Sequence, residues 1–177
     1  FDPTCGSGNF LVIAYKELRK LEDDINRELG ELGKKSIIPL TNFRGIEIRN
    51  FSCEIARLAL IIAEYQCNVI YLGQKEALLE FLPLENKNWI TFGNALEMNW
   101  ENICPAKGEQ IQHEKDIVFP QDNFMPTINF KNAGGEVYIC GNPPFLGSQR
   151  QSKEQKSDLK LVFENYLKHW KKLDYVS

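Results

Sequence analysis

Apolar residues recur every three to four positions at Phe10, Ala14, Leu18, Leu21, Ile25 and Leu29, with Lys, Glu, Arg and Asp between them. That period predicts an amphipathic helix with this stripe against a core. Gly30 and Gly33 punctuate its end. Phe43 to Ile48 reads as a short strand. A second helix then carries Phe51, Ile55, Leu58, Ile62 and Tyr65 on one face until Gly73 breaks it. A short helical stretch from Gln74 to Phe81 stops before Pro83, Trp89 to Phe92 is a further strand, and Gly93-Asn94 turns the chain. Val137 to Cys140 is another strand, closed by Gly141-Asn142-Pro143-Pro144. Leu159, Phe163, Tyr166, Trp170 and Leu173, joined by Val162 and Leu167, predict a last long helix, and Tyr175-Val176 opens one more strand. Between Cys104 and Gly135 no period holds. Pro105, Pro120, Pro126 and Gly134-Gly135 make that stretch an irregular insertion at about 104–135, either with a hairpin around Ile128 to Phe130 or as a flexible loop.

Strands alternating with helices predict an α/β domain with a largely parallel sheet. Ligands in such sheets bind beyond the carboxyl ends of the strands, which directs attention to Asp2–Gly8, Glu47, Asn94 and Asn142–Phe145. At 177 residues with 43% hydrophobic positions, the chain can bury the core of one domain. Its aromatic content excludes a disordered chain, and no apolar run approaches the roughly 20 residues of a membrane span. The net charge of −3 neither suggests nor excludes a nucleic-acid partner. Five scattered cysteines without Cys-x-x-Cys spacing, and only two histidines, predict free thiols and no metal site. The start at Phe1-Asp2-Pro3 reads as a cut rather than a beginning.

In Asp2-Pro3-Thr4-Cys5-Gly6-Ser7-Gly8, the glycines let the backbone turn sharply and approach a ligand ahead of a helix start. A Gly-x-Gly also serves simply to turn a chain. The dinucleotide version needs a third glycine where Leu11 stands, and Asp2 would repel a pyrophosphate, so the loop suits a cationic ligand such as an ammonium or sulfonium. Glu47, at the end of its strand, is either an exposed charge or an acceptor for both hydroxyls of a ribose. Asn94-Ala95-Leu96 follows the next strand and can face an adenine ring. In Gly141-Asn142-Pro143-Pro144-Phe145 the two prolines remove two backbone donors and leave carbonyl oxygens free. Asn142 adds an amide and Phe145 a flat face for stacking a base. A rigid turn with a core Phe is the alternative.

Taken together, Asp-Pro-Thr-Cys-Gly-Ser-Gly-Asn-Phe-Leu, Gly-Ile-Glu-Ile, Gly-Asn-Ala-Leu and Gly-Asn-Pro-Pro-Phe resemble motifs I to IV of the amino-methylating DNA methyltransferases, in the gamma-class order. The stretch from Gly141 to Asp158 is similar to the MmeI-like branch of fused type IIG restriction–modification enzymes. The resemblance implies a Rossmann-like S-adenosylmethionine-dependent methyltransferase fold, truncated at both ends, with residues 1–177 a partial catalytic domain. It implies S-adenosylmethionine held by Asp2, Thr4, Gly6 and Gly8 at its methionine part, by Glu47 at the ribose, and by Asn94, Ala95 and Leu96 at the adenine.

The resemblance further implies N(6) methylation of an adenine flipped out of double-stranded DNA. Asn142, Pro143, Pro144 and Phe145 would carry the chemistry, without a metal. Arg150 and Lys153, in the basic stretch after Phe145, are candidates for the DNA backbone. Parts of a longer chain would carry target recognition, with or without a nuclease, in a prokaryotic cytoplasm, and the fragment alone would be inactive. The competing expectations are methylation of RNA or of a protein glutamine amide, and a non-catalytic nucleotide-binding module.

Overall fold

A computed structural model of the chain describes residues 1–81, 89–105, 136–143, 145–173 and 175–176. The N-terminal residues form the middle of a short parallel arrangement. Asp2 N–H donates to Arg44 O at 2.9 Å, and Ile46 N–H donates to Asp2 O at 3.0 Å. On the other side, Phe1 N donates to Tyr138 O at 2.8 Å and Cys140 N–H donates to Phe1 O at 2.9 Å, the alternation of parallel neighbours. Strand β1 (Gly45–Glu47) pairs in parallel with β2 (Ile90–Phe92), Gly45 opposite Ile90 and Glu47 opposite Phe92. The segment 138–140, the N-terminus, β1 and β2 therefore lie side by side in that order. The strand expected over Phe43 to Ile48 is confined to Gly45–Glu47. Val137 to Cys140 contributes its two bonds to Phe1 rather than a regular strand.

The helices connect these strands. Helix α1 (Asn9–Glu28) follows the first loop, and α2 (Asn50–Tyr71) follows β1. Gly73, at φ 95°, separates α2 from α3 (Gln74–Phe81). A four-residue helix α4 (Trp100–Ile103), capped by Asn99 on Glu101 N–H, follows the turn after β2. It has no counterpart among the elements expected from the sequence. Of the irregular stretch, positions 106–135 and the hairpin expected within it lie outside the described residues.

Both long helices form where the periodicity places them, but each buries the other face. On α1 the buried residues are Leu11, Tyr15 and Arg19, while Phe10, Leu18, Leu21, Ile25 and Leu29 are exposed. On α2 they include Cys53, Ala56, Leu60, Ala63 and Cys67, while Phe51, Ile55, Leu58 and Ile62 are exposed. The small side chains of α2 explain the choice, because they allow a close approach to α1 and the strands. Gly8 shows how close. At φ 78°, it sits where an added Cβ would be 2.9 Å from the Cβ of Ala56. Gly30 has a similar φ of 73° with open space around it. Gly8→Ala is therefore expected to lose more stability than Gly30→Ala, by about 1–3 kcal/mol, read from the two shifts in denaturation midpoint. Equal shifts would show that backbone strain alone sets the requirement.

The main core gathers Leu11, Tyr15, Leu40, Phe43, Leu60, Trp89 and Ile90 around α1 and α2. Buried Arg19 is held by Tyr15 Oη at 2.6 Å and Glu22 at 3.2 Å. Phe1, Ile46, Ala95 and Ile103 form a second cluster, in which Phe1 meets Trp100 edge to face. The last long helix expected from Leu159 to Leu173 is shorter. Helix α5 (Lys153–Phe163) ends at Phe163, and turns and a 3-10 segment at Trp170–Lys172 follow. Its start is well defined, because Ser152 and Gln155 form a reciprocal capping box. Tyr175-Val176 (β4) does form a strand, antiparallel to Phe145–Leu146 (β3).

Candidate active site

The strand ends converge on one cavity of about 370 Å³, lined by Pro3, Thr4, Gly6, Ile46, Glu47, Ile48, Arg49, Ser52, Gly93, Asn94, Ala95 and Asn142. Parallel strands place their carboxyl ends at one edge, so loops distant in sequence share this wall. Gly6 presents an open side to it, with φ 56° and nothing within 4 Å of an added Cβ. Glu47 joins the first loop to the second. Its Oε2 accepts Gly6 N–H at 3.0 Å and its Oε1 accepts Arg49 N–H at 3.0 Å. Each carboxylate oxygen keeps a further lone pair for a hydroxyl donor.

Asn94 turns the chain after β2. Its Oδ1 accepts Leu96 N–H at 3.1 Å, its Nδ2 donates to Asp158 Oδ2 at 3.0 Å, and Trp100 Nε1 donates to Ala95 O at 2.7 Å. A second, largely apolar cavity of about 390 Å³ lies alongside, lined by Pro3, Thr4, Ala95, Leu96, Trp100, Ile139, Cys140, Gly141, Pro143 and side chains of the C-terminal segment including Leu159 and Phe163. Asn142 thus borders the first cavity and Pro143 the second.

Of the residues singled out from the sequence, the structure brings Thr4, Gly6, Glu47, Asn94, Ala95 and Asn142 to one wall. Leu96 and Pro143 line the adjoining cavity. Gly8 lies away from both, packed on Ala56 at the start of α1. Phe145 is 74% exposed and borders neither cavity, and Arg150 and Lys153 are exposed. Pro144 falls outside the described residues. Arg49, Ser52 and Asp158 are polar residues at or next to the wall that the motifs did not single out.

Asp2 stands behind the wall rather than on it. It is 2% exposed, and its Oδ1 accepts Thr4 N–H at 3.0 Å. An added Cβ on Gly141 would fall 2.5 Å from that oxygen, so Gly141 packs directly on the carboxyl. Burial pushes the Asp2 carboxyl above its ordinary range, against the opposing pull of the Thr4 N–H. In the unfolded chain the group ionises near 3.8, whereas the folded chain keeps its proton to higher pH. Stability from this group is therefore greatest below the unfolded value and falls as pH rises towards the folded one. Asp2→Asn keeps an oxygen for Thr4 N–H and removes this loss. Its stability relative to the parent is expected to rise between pH 4 and pH 7, read from urea midpoints. A difference independent of pH would show that Asp2 ionises as freely folded as unfolded.

The Cys5 and Cys53 thiols add no nucleophile to the site. Burial pushes Cys5 up to about 12 and Cys53 up to about 11, which keeps both protonated at neutral pH.

Comparison with known proteins decides the family. The model of the MmeI DNA-methyltransferase domain matches residues 1–177. The chain belongs to the MmeI DNA-methyltransferase domain family. It is 40% identical over 182 residues to DNA methyltransferase A of Bacillus subtilis (strain 168), covering 100% of this chain and 18% of that protein. It is also similar to the solved structure of the type IIL restriction-modification enzyme MmeI in complex with DNA, at a TM-score of 0.68 and 34% identity, covering 99% of this chain and 21% of that one. The chain thus spans about a fifth of the length of these relatives. The sequence-level resemblance to the MmeI-like branch of DNA methyltransferases is borne out, and so is a mixed α/β architecture. Among the described residues no helix is long and apolar enough to cross a membrane.

Proposed function

We propose that this MmeI-family domain transfers a methyl group from S-adenosylmethionine to the exocyclic N(6) amino group of adenine in double-stranded DNA, as the modification activity of a restriction–modification enzyme of the bacterial cytoplasm. The observation that carries this reading is that Asn142 shares one wall with Gly6, Glu47, Asn94 and Ala95. The side-by-side order of the segment 138–140, the N-terminus, β1 and β2 supports a Rossmann-like arrangement, with the ligand beyond the strand ends.

The donor set fits the cofactor. Glu47 accepts the ribose hydroxyls with its remaining lone pairs, while the open side of Gly6 and the Thr4 backbone take the methionine part. Asp2 fixes that loop through Thr4 N–H and adds negative charge behind it, which favours a cationic ligand. Gly8 serves by seating the helix that follows. Asn94, Ala95 and Leu96 flank the adenine through a turn already fixed by their own hydrogen bonds. When bound, S-adenosylmethionine supplies an electrophilic methyl carbon.

The remaining chemistry belongs to the catalytic loop. The target base must leave the duplex, because its amino group is paired inside it. Asn142 Oδ1 and the Pro143 carbonyl accept the two amino hydrogens. With both hydrogens so held, the nitrogen lone pair would be freed from conjugation with the ring and available to the methyl carbon; transfer would break the carbon–sulfur bond, leave the cofactor as a neutral thioether and release the surplus amino proton to solvent. Pro143 restricts the backbone after Asn142, and the exposed face of Phe145 is free to stack on the flipped base. Arg150 and Lys153, exposed just beyond it, contact backbone phosphates. Target recognition, and any nuclease, reside on other parts of the longer protein.

An intact Asn-Pro-Pro-Phe sequence, with Asn142 at the cavity, argues against a binding module without catalysis. The family favours DNA over RNA or a protein amide as acceptor. The reading is tested by incubating the full-length protein with tritiated S-adenosylmethionine and, in separate reactions, duplex DNA, RNA and protein. Label is expected in duplex DNA alone. Label confined to RNA or protein would overturn it.

A further inference from the structure

We infer that Asp158 is a positioning residue that sets the Asn94 turn in the geometry the cofactor needs, an inference that rests on the function proposed above. The two residues are 64 positions apart, yet Asn94 Nδ2 donates to Asp158 Oδ2 at 3.0 Å in a partly buried contact. A carboxylate only accepts, so it dictates which end of the Asn94 amide faces it. The amide oxygen is thereby turned the other way, where it accepts Leu96 N–H at 3.1 Å. With the amide reversed, oxygen would face oxygen across the contact, and the Leu96 N–H would meet a donor. The orientation that shapes the cavity wall at Asn94 and Ala95 is thus held from α5.

Helix α5 is itself anchored well enough to act as a strut. Its Ser152–Gln155 capping box fixes its first turn. Immediately before it, buried Gln151 donates through Nε2 to Leu146 O at 3.0 Å and to Leu173 O at 2.8 Å. Leu159, next to Asp158 and 2% exposed, lines the apolar cavity together with Ala95, Leu96 and Pro143. The helix therefore reaches the Asn94 turn through this charge-assisted hydrogen bond, while Leu159 faces the cavity that Ala95 and Leu96 also line. It does so from the segment that directly follows the catalytic loop.

The test uses the full-length protein and S-adenosylmethionine, with binding read by calorimetry and turnover on duplex DNA at saturating cofactor. Asp158→Leu and Asn94→Leu are each expected to raise the cofactor Kd about tenfold. The double variant is expected to do no more than Asn94→Leu alone, because that change already removes the Asp158 contact along with the Leu96 one. Asp158→Asn, which keeps an acceptor oxygen, is expected to stay within about threefold of the parent. The turnover number at saturating cofactor is expected to change far less than the Kd, a split that general loosening of the fold would not give. Where Asp158→Leu lowers the melting temperature of the free protein, Asp158→Ser serves as the second variant, with the same rise in Kd expected. Unchanged cofactor affinity in these variants, or additive effects in the double variant, overturns the inference alone. A parent protein that fails to bind S-adenosylmethionine overturns the proposed function, and this inference with it.

Discussion

In the full-length protein, Asn142→Ala is expected to lower the rate of methyl transfer by about 10³-fold or more, while the Kd for S-adenosylmethionine stays within about threefold of the parent. The asymmetry follows from where Asn142 stands. It borders the cavity beside Asn94 and Ala95, but among the described residues the hydrogen bonds that build that wall do not pass through its side chain. In the proposed reaction its amide oxygen is instead one of two acceptors for the target amino group, and the other is a backbone carbonyl that mutation cannot remove. With one acceptor gone, the nitrogen lone pair stays conjugated with the ring, and no other group on the wall substitutes. Single-turnover transfer from labelled cofactor gives the rate, and calorimetry gives the affinity. Turnover within tenfold of the parent would remove Asn142 from the chemistry.

Glu47→Ala is expected to have the second-largest effect, and on binding rather than on turnover. The change removes the proposed ribose acceptor and also releases Gly6 N–H and Arg49 N–H, both of which the carboxylate holds at 3.0 Å. A hydrogen bond to a charged group contributes about 1.5–3 kcal/mol, and about 1.4 kcal/mol is tenfold in affinity, so the loss of even one such bond from the complex should raise the cofactor Kd about 10- to 100-fold. Glu47→Gln keeps one acceptor and should fall between. An unchanged Kd for Glu47→Ala would leave Glu47 as a purely structural clamp between the two loops.

The site was more legible in the sequence than the packing was. Strand ends advertise themselves through turn residues, and Gly6, Glu47, Asn94 and Asn142 fall where an α/β order puts them, so their convergence on one cavity followed from element order. The buried faces of the two long helices did not. Both helices carry apolar residues on more than one face, and periodicity favours the larger ones. Yet α2 packs through Cys53, Ala56, Ala63 and Cys67 because small side chains permit the closer approach. On α1 the buried face contains Arg19, a residue that a hydrophobic pattern counts against burial but that donates to Tyr15 Oη and pairs in charge with Glu22. The C-terminal helix is shorter than its periodicity predicts for a related reason. Phe163, Tyr166 and Trp170 keep a helical spacing, but the chain leaves the helix after Phe163, and Tyr166 is 83% exposed. Long-range polar contacts such as Asn94 with Asp158 have no local signature at all. Asp2 was recognised as chemically important, but the structure gives it a place behind the wall, where it shapes the loop through Thr4 N–H.

The proposed activity is methylation of the exocyclic amino group of adenine at this loop. The most direct measurement is to methylate duplex DNA with the full-length protein and isotopically labelled S-adenosylmethionine, digest the product to nucleosides, and identify the labelled base by mass and chromatographic mobility. The expected result is N(6)-methyladenine as the labelled product, absent with Asn142→Ala. Label on cytosine, at N(4) or at C(5), would contradict the account.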